Sequence, residues 1–181
     1  MEVAGIKGAG AIVATAVYRL VVAVFGRSFG VGRSLRPLGP LTVRVGAPRE
    51  VVFDVIAAPY LGRTPRALAR KLKVLERGDD SVVAEHYTHS GWIVATTVES
   101  VHFSRPERVE FRLVRGPVPH VLEHFELHEV EGGTELHYAG ELGTDLWALG
   151  RLWGRSVGDK WEATVQDSLN SIRAEAERRA R

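Results

Sequence analysis

The amino-acid sequence predicts an α+β fold in which a curved antiparallel sheet of about seven strands wraps around one long C-terminal helix. Between residues 41 and 142, short runs with apolar residues at every second position alternate with brief turn signals, as in an antiparallel meander. From residue 146 onward, apolar residues instead recur every three or four positions, as on one face of a helix. The 181 residues are enough for one domain, and an apolar content of 45% is enough for a packed core.

The strands and two short helices follow in chain order. A first strand over residues 41–45 ends at Gly46, and Pro48 suits the first turn of a helix over residues 49–57. A second short helix is expected over residues 65–70. Six further strands are expected at residues 71–77, 81–89, 92–103, 108–115, 120–130 and 134–142, separated by turns rich in Gly, Pro, Asp and Ser.

The predicted C-terminal helix covers residues 146–179. Its apolar stripe consists of Leu146, Leu149, Trp153, Val157, Trp161, Val165, Leu169 and Ile172. Gly150, Gly154 and Gly158 lie in its first half at a spacing of four. Three interpretations are open: the helix bends there, it is broken into two, or another segment approaches it closely.

Residues 1–40 form a leader that differs in composition from the domain expected over residues 41–181. The leader carries five basic side chains and one acidic side chain, a net charge of +4, and the remainder carries −2. Residues 9–25 are expected to form a helix with Val13, Val17, Leu20, Val21 and Val24 on one face. Residues 26–40 hold four Gly and two Pro, which is typical of a linker.

The apolar face of the leader helix needs a partner, because soluble monomers rarely expose a large apolar stripe. The candidates are its own domain, a second copy in a homodimer, and a membrane surface. The positive charge favours an anionic membrane, whereas the small residues on the back of the helix favour close packing on protein. A cleaved signal peptide fits less well, because Arg19 interrupts the apolar run. We therefore expect a cytoplasmic protein, with membrane association through this helix as the alternative.

Charge and cysteine content exclude several functional classes. A net charge of +2 without a cluster of basic residues argues against a nucleic-acid-binding protein. Because the chain has no cysteine, it has no disulfide scaffold, thiolate metal site or cysteine nucleophile. His120, His124 and His128 are spaced by four residues, but on a strand this separates neighbours by roughly 13 Å, too far to share an ion. We predict neither a metal site nor a cofactor.

Three segments carry a resemblance to a known family. They are the opening strand and helix at residues 45–56, the strand, Pro turn and strand at residues 98–109, and the hairpin at residues 125–134 that ends in Gly132, Gly133 and Thr134. Their order and spacing resemble the SRPBCC superfamily of START-like, birch-pollen-allergen-like helix-grip proteins. The nearest branches are the polyketide cyclase/dehydrase-like and coenzyme Q-binding-protein-like ones. The resemblance implies a cavity between sheet and terminal helix that holds an apolar small molecule, and it implies no fixed catalytic residues.

Glu123 is the most informative candidate for a ligand-binding residue. It shares strand parity with Phe125 and so is expected on the inner face, where a buried carboxylate has a raised pKa and can anchor a ligand hydroxyl or donate a proton. The alternative is an exposed or arginine-paired glutamate. The other expected ligand-binding residues are Tyr87, Phe111, Phe125, Tyr138, Trp153 and Trp161. For Tyr138, Trp153 and Trp161, simple packing in the core is the competing interpretation.

The resemblance favours a protein that binds a lipid, an isoprenoid or an aromatic polyketide. The alternatives are a cyclase or dehydratase that uses acid–base chemistry in the same cavity, and an interaction protein whose core is filled by its own side chains. A paired, water-shielded set of ionisable groups would favour the enzyme. A wholly apolar pocket would favour the carrier, and the lack of any pocket would favour the interaction protein. Whether the protein catalyses a reaction is left open.

Overall fold

The structure is a computed structural model that describes residues 3–62, 71–90 and 93–181. Its helices are α1 (Val3–Phe25), α2 (Arg49–Leu61) and α3 (Trp147–Arg179). Its strands are β1 (Ser34–Val45), β2 (Leu72–Arg77), β3 (Ser81–Ser90), β4 (Ile93–Ser104), β5 (Arg108–Arg115), β6 (His120–Val130) and β7 (Gly133–Thr144). The second short helix predicted over residues 65–70 lies outside the described residues.

The seven strands form one antiparallel sheet in the order β1-β7-β6-β5-β4-β3-β2. Each of the strands β2 to β6 pairs with the next strand along the chain, whereas β1 pairs with the last strand, β7. The two edges of the sheet, β1 and β2, are therefore the first two strands in sequence. The helix α3 packs on β1, β7 and α2 across the concave face. The predicted fold class, a curved antiparallel sheet around a long C-terminal helix, is confirmed.

The first strand is longer than the sequence predicted. It begins at Ser34 rather than at residue 41, so residues 34–40 of the linker predicted over residues 26–40 are strand, and this part of β1 pairs with β7. The two prolines that suggested a linker, Pro37 and Pro40, are tolerated because β1 lies at the edge of the sheet, where a missing N–H breaks no ladder. Between Leu38 and Leu41 the register shifts, and Gly39 supplies the positive φ of 77° that this irregularity needs.

The three glycines of α3 allow a close approach, and the helix is continuous through them. A Cβ at Gly150 would lie 1.6 Å from the carbonyl oxygen of Asp145, and one at Gly158 would lie 2.6 Å from the guanidinium of Arg36. A Cβ at Gly154 would lie 2.9 Å from the side chain of Thr144. Of the three interpretations open from the sequence, the close approach of another segment is therefore correct.

The hydrophobic core lies between the concave face of the sheet and the two helices α2 and α3. The fully buried members from the strands and helices include Val45, Val52, Phe53, Val101, Val109, Leu127, Leu136, Tyr138, Leu142 and Leu169. The last turn of α1 reaches this body, because the ring of Phe25 lies 5.8 Å from the ring of Trp153. On the predicted apolar face of α1, however, Val17, Leu20 and Val24 are exposed. No helix among the described residues is long and apolar enough to cross a membrane.

Candidate functional site

A cluster of polar side chains lies on the concave face of the sheet, inside the otherwise apolar core. Glu123 projects from β6 between Val121 and Phe125 on the same face, as its strand parity predicts, and it is only 7% exposed. Gly140 on β7 faces it, and a Cβ there would lie 2.7 Å from the Cβ of Glu123. The missing side chain of Gly140 therefore makes the room that the glutamate occupies.

Two donors from different elements meet at one oxygen of Glu123. The hydroxyl of Tyr138 on β7 and the indole Nε1 of Trp161 on α3 each donate a hydrogen bond of 2.6 Å to Oε2. Among the described residues, Oε1 receives no hydrogen bond. A buried carboxylate can accept at both oxygens, so Glu123 retains capacity for one more donor.

Burial sets the protonation state of Glu123. Loss of solvent raises its pKa to about 7, and the charge of Glu99 adds to this effect. The hydrogen bonds from Tyr138 and Trp161 and the proximity of His86 act in the opposite direction, because each of them favours the ionised carboxylate. Near neutral pH the carboxyl group is therefore present in both forms, which is the condition that suits a proton donor or acceptor.

A second group of polar residues lies on the neighbouring strands. The hydroxyl of Tyr60 near the end of α2 lies 3.0 Å from Nε2 of His86 on β3. Nδ1 of His86 lies 3.2 Å from Oε2 of Glu99 on β4, without the geometry of a hydrogen bond. Glu99 is held in place by the hydroxyl of Thr97, which donates to Oε1 at 2.7 Å.

The two groups form one electrostatic unit. Burial by itself lowers the pKa of His86, but the adjacent Glu99 carboxylate outweighs it and the charge of Glu123 adds to the effect, so the pKa is raised. Burial raises the pKa of Tyr60, and the charges of Glu99 and Glu123 raise it further. The pKa of Tyr138 is raised for the same reasons, burial first and the adjacent Glu123 carboxylate second. A change of charge at either glutamate is therefore felt across the cluster.

Aromatic rings surround the polar cluster. Tyr60 contacts the rings of Phe103 and Phe111 at centroid distances of 5.9 and 6.0 Å. Phe111 contacts Phe125 at 5.8 Å, and Phe125 contacts Tyr138 at 5.5 Å. The row is continuous from α2 to β7, so the buried ionisable groups lie in surroundings of low polarity.

Five of the predicted ligand-binding residues are brought together here: Phe111, Glu123, Phe125, Tyr138 and Trp161. Trp153 lies nearer the start of α3 than Trp161 does, and its indole donates a hydrogen bond of 2.7 Å to the carbonyl of Pro117. Tyr87 is the exception, because β3 directs Val82, Ala84 and His86 inward and Tyr87 outward, where its hydroxyl donates to Glu85. Both faces of β3 are half apolar, so strand alternation offered no basis for choosing between them.

Three members of the cluster were not predicted from the sequence: Tyr60, His86 and Glu99. The predicted helix stopped at residue 57 because of Pro59, but α2 continues to Leu61 with the proline inside it. The spacing of four residues from Val52 to Ile56 to Tyr60 is the signal that would have placed Tyr60 on the buried face.

A cleft of about 420 Å³ lies between the β6–β7 turn and the start of α2, and none of the residues predicted to line the cavity is among its described lining residues. The expected lining residues Phe111, Phe125, Leu127, Leu136 and Tyr138 are buried in the core.

The histidines of β6 lie on the opposite, outer face of the sheet. His120 lies 2.8 Å from Glu141, while His124 and His128 each lie 3.7 Å from Glu126. Within the described part of the chain, no group of three potential ligands is placed to hold a metal ion.

The sheet, its concave core and α3 together form a helix-grip fold, which solved structures of low sequence identity share. Zhui aromatase/cyclase from a Streptomyces species has this fold with a TM-score of 0.66 at 18% identity, over 82% of this chain and 97% of that chain. The protein TTHA0849 from Thermus thermophilus has a TM-score of 0.58 at 16% identity, over 82% and 98% of the two chains. For Ara h 8.0201 the TM-score is 0.54 at 10% identity, over 82% and 98%. No family model and no curated protein sequence matches the chain.

Proposed function

We propose that the protein binds an apolar small molecule that carries a hydroxyl group, such as a lipid, an isoprenoid or an aromatic polyketide. The ligand would lie between the sheet and α3, with its hydroxyl on Glu123. One observation carries this proposal: Oε2 of the buried Glu123 accepts two hydrogen bonds, while Oε1 accepts none among the described residues.

Energetic reasoning supports an oxygenated ligand. Oε1 of Glu123 keeps acceptor capacity, and a hydrogen bond to a charged group is worth about 1.5–3 kcal/mol. A ligand hydroxyl that donates to Oε1 would supply this bond. The rings of Phe111, Phe125 and Tyr138 would then contact the apolar part of the same molecule.

We expect a side chain on the helix side of the site to move when the ligand enters. Trp161 is best placed to do so, since it is only partly buried and belongs to α3 rather than to the sheet. Among the proteins with this fold, three are named as aromatase/cyclases (ARO/CYC), which agrees with an aromatic polyketide as one class of ligand.

The experiment compares naphthol with naphthalene, which differ by one hydroxyl, using isothermal titration calorimetry. The wild-type protein should bind naphthol about 10-fold tighter or more, the equivalent of one hydrogen bond to a carboxylate. In Glu123→Gln this preference should disappear. Trp161 can only donate, so the amide must turn its oxygen toward Trp161 and Tyr138, which leaves an NH₂ group in place of Oε1.

Glu141→Gln is the matched control, because this glutamate lies on the outer face of β7 beside His120. It should keep the wild-type preference. Equal affinity of the wild-type protein for the two probes would contradict Glu123 as the anchor. If neither probe binds, and native mass spectrometry of gently purified protein finds no co-purified apolar molecule, the core is filled and the chain is an interaction protein.

A second candidate function is acid–base catalysis of the cyclase or dehydratase type. It is favoured by the presence of two buried ionisable groups, Glu123 and His86, whose charges shift each other's pKa. In a dehydration of a β-hydroxy ketone, ionised Glu123 would take the proton next to the carbonyl and protonated His86 would give a proton to the departing hydroxyl. A carbon–carbon double bond forms, the carbon–oxygen bond breaks, and water leaves.

The aldol of benzaldehyde and acetone tests this second candidate, because its dehydration gives the strongly absorbing benzylideneacetone. Turnover that is lost in both Glu123→Gln and His86→Gln, but kept in Glu141→Gln, would support catalysis. Binding without turnover would leave the protein as a carrier and would contradict the enzymatic alternative for this substrate class.

A further inference from the structure

Two distant segments that lack acidic residues meet at one end of the molecule. Residues 3–49 and 146–158 contain no Asp or Glu. The backbone N–H groups of Leu146 and Trp147 donate to the carbonyls of Val31 and Gly32, at 2.9 and 3.1 Å. With the contact between the rings of Phe25 and Trp153, these bonds join the end of α1, the loop before β1 and the start of α3 into one surface. We call it the α1–α3 surface.

The two segments that meet at the α1–α3 surface hold most of the exposed large apolar side chains among the described residues. Of the thirteen exposed large apolar side chains there, nine belong to these two segments. They are Val17, Leu20, Val24, Phe29, Val31, Leu35, Trp147, Leu149 and Leu152. Trp147 is 62% exposed, and Leu149 and Leu152 are each 67% exposed, at the start of a helix whose other apolar residues face the core.

Arginines are interleaved with these apolar side chains. Arg151 and Arg155 alternate with Leu149 and Leu152 along α3, and Arg19 and Arg27 lie on α1 and just after it. All four are exposed, and none of them forms an ion pair with a described residue. The surface therefore combines exposed apolar groups with positive charge that no carboxylate of the described chain neutralises.

We propose that the α1–α3 surface docks the protein onto an anionic membrane. Exposed leucines and a tryptophan would enter the boundary between headgroups and acyl chains, while the arginines would contact anionic headgroups. Docking in the plane of the membrane requires no spanning segment, which agrees with the lack of a helix able to cross a membrane in the described residues. This inference goes beyond ligand binding and adds the surface from which an apolar ligand would be collected.

Charge complementarity favours an anionic membrane over a second copy of the chain. A two-fold symmetric dimer through this surface would bring Arg151 and Arg155 of one copy close to the same arginines of the other, with no acidic residue in either segment to compensate. An anionic lipid surface supplies the missing negative charge, and each arginine close to it strengthens binding about fivefold.

The test is sedimentation of the full-length protein with vesicles of two compositions, phosphatidylcholine alone and equal parts phosphatidylcholine and phosphatidylserine. The wild-type protein should sediment with the anionic vesicles and remain in solution with the neutral ones. Leu149→Ser with Leu152→Ser, and separately Arg151→Gln with Arg155→Gln, should each weaken binding at least about 10-fold. Thermal melting of each variant confirms that it is folded.

Matched controls remove the same groups from other surfaces. Leu75→Ser removes an exposed leucine from β2, and Lys73→Gln with Arg112→Gln removes two exposed charges from the sheet. Both controls should bind anionic vesicles as the wild type does. The proposal is overturned if the wild-type protein does not bind anionic vesicles, or if the controls lose binding equally. Loss of a dimer in the Leu149→Ser, Leu152→Ser variant, without vesicle binding by the wild type, would assign the surface to a second copy instead.

Discussion

Trp161 on α3 donates its indole hydrogen to the same oxygen of Glu123 on β6 that accepts the hydroxyl of Tyr138. The long helix is thereby joined to the middle of the sheet through one buried carboxylate. A purely apolar contact would hold the helix equally well, but it would not respond to pH. The Glu123–Trp161 bond therefore makes the attachment of α3 depend on the protonation of the site, and it is the relationship that the first two predictions test.

The stability of the wild-type protein should fall as pH rises from about 4.5 to about 7. The pKa of Glu123 is raised from 4.5 to about 7 in the folded state, so in this window the folded chain holds a proton that the unfolded chain has lost. Stability then decreases with pH, and the total effect is about 2–3 kcal/mol. Urea unfolding at several pH values measures it.

Glu123→Gln should remove this part of the pH dependence, because the amide does not titrate. Glu141→Gln, with its side chain on the outer face, should retain it. The same slope in the Glu123→Gln variant as in the wild type would show that Glu123 titrates normally and that another group is responsible. The raised pKa of His86 also makes the stability fall as pH rises. The contribution of Glu123 is therefore measured by the difference between the wild-type and Glu123→Gln curves, and not by the wild-type curve alone.

Replacement of Trp161 by Phe should raise the pKa of Glu123 above its value of about 7. The indole donates to the ionised carboxylate and stabilises it, so loss of that bond favours the protonated form and should raise the pKa by about one. Titration of the glutamate carboxyl carbons by NMR measures this. Trp153→Phe is the matched control, because Trp153 also donates through its indole but to the carbonyl of Pro117. An unchanged pKa in Trp161→Phe would mean that this hydrogen bond does not exist in solution.

The sequence was sufficient to predict burial where the periodicity of a residue's own strand or helix determines the face on which the residue lies. Glu123 and Phe125 are two residues apart on the same strand, which placed both of them on the inner face, and the spacing of three and four residues in α3 placed Trp161 toward the sheet. The sequence was insufficient where the arrangement of neighbouring strands determines whether a segment is a strand, or which of its faces is buried. Pro37 and Pro40 suggest a loop until the edge position of β1 is known, and β3 is apolar enough on both faces that His86 and Tyr87 could not be told apart.

Gly154→Ala should destabilise the protein, although the same change in an exposed helix is stabilising by about 1 kcal/mol. A Cβ here would lie 2.9 Å from Cγ2 of Thr144, so α3 would have to move away from β7. We expect a loss of about 1–3 kcal/mol, as for other overpacked sites. Ser156→Ala, at an exposed position of the same helix, should be neutral or slightly stabilising. Chemical denaturation distinguishes these outcomes, and a more stable Gly154→Ala variant would contradict the close packing of α3 on β7.

Asp145 should hold the loop between α1 and β1 in place down to low pH. Its buried carboxylate accepts hydrogen bonds from the side chain of Arg33 and from the N–H groups of Phe29 and Gly30, the latter two at 2.6 and 2.9 Å. The hydrogen bond from Arg33 is the main cause that lowers the pKa of Asp145 to about 2, and the N–H groups of Gly30 and Phe29 contribute to this although burial opposes it. Its contribution is therefore present above about pH 4 and lost as pH falls through about 2.

Asp145→Asn should lower the free energy of unfolding at neutral pH by about 1–3 kcal/mol, because several donors lose a charged acceptor. It should also make residues 26–33 more susceptible to limited proteolysis, since the loop is attached to the start of α3 through this side chain. Glu175→Gln is the control: its pKa is also lowered to about 2, by Arg178 and Arg179, but it lies on the solvent side of α3, where ion pairs contribute little. If both variants unfold at the same denaturant concentration as the wild type, Asp145 does not hold the loop, and the α1–α3 surface would have to be maintained by the Phe25–Trp153 contact and the two backbone hydrogen bonds alone.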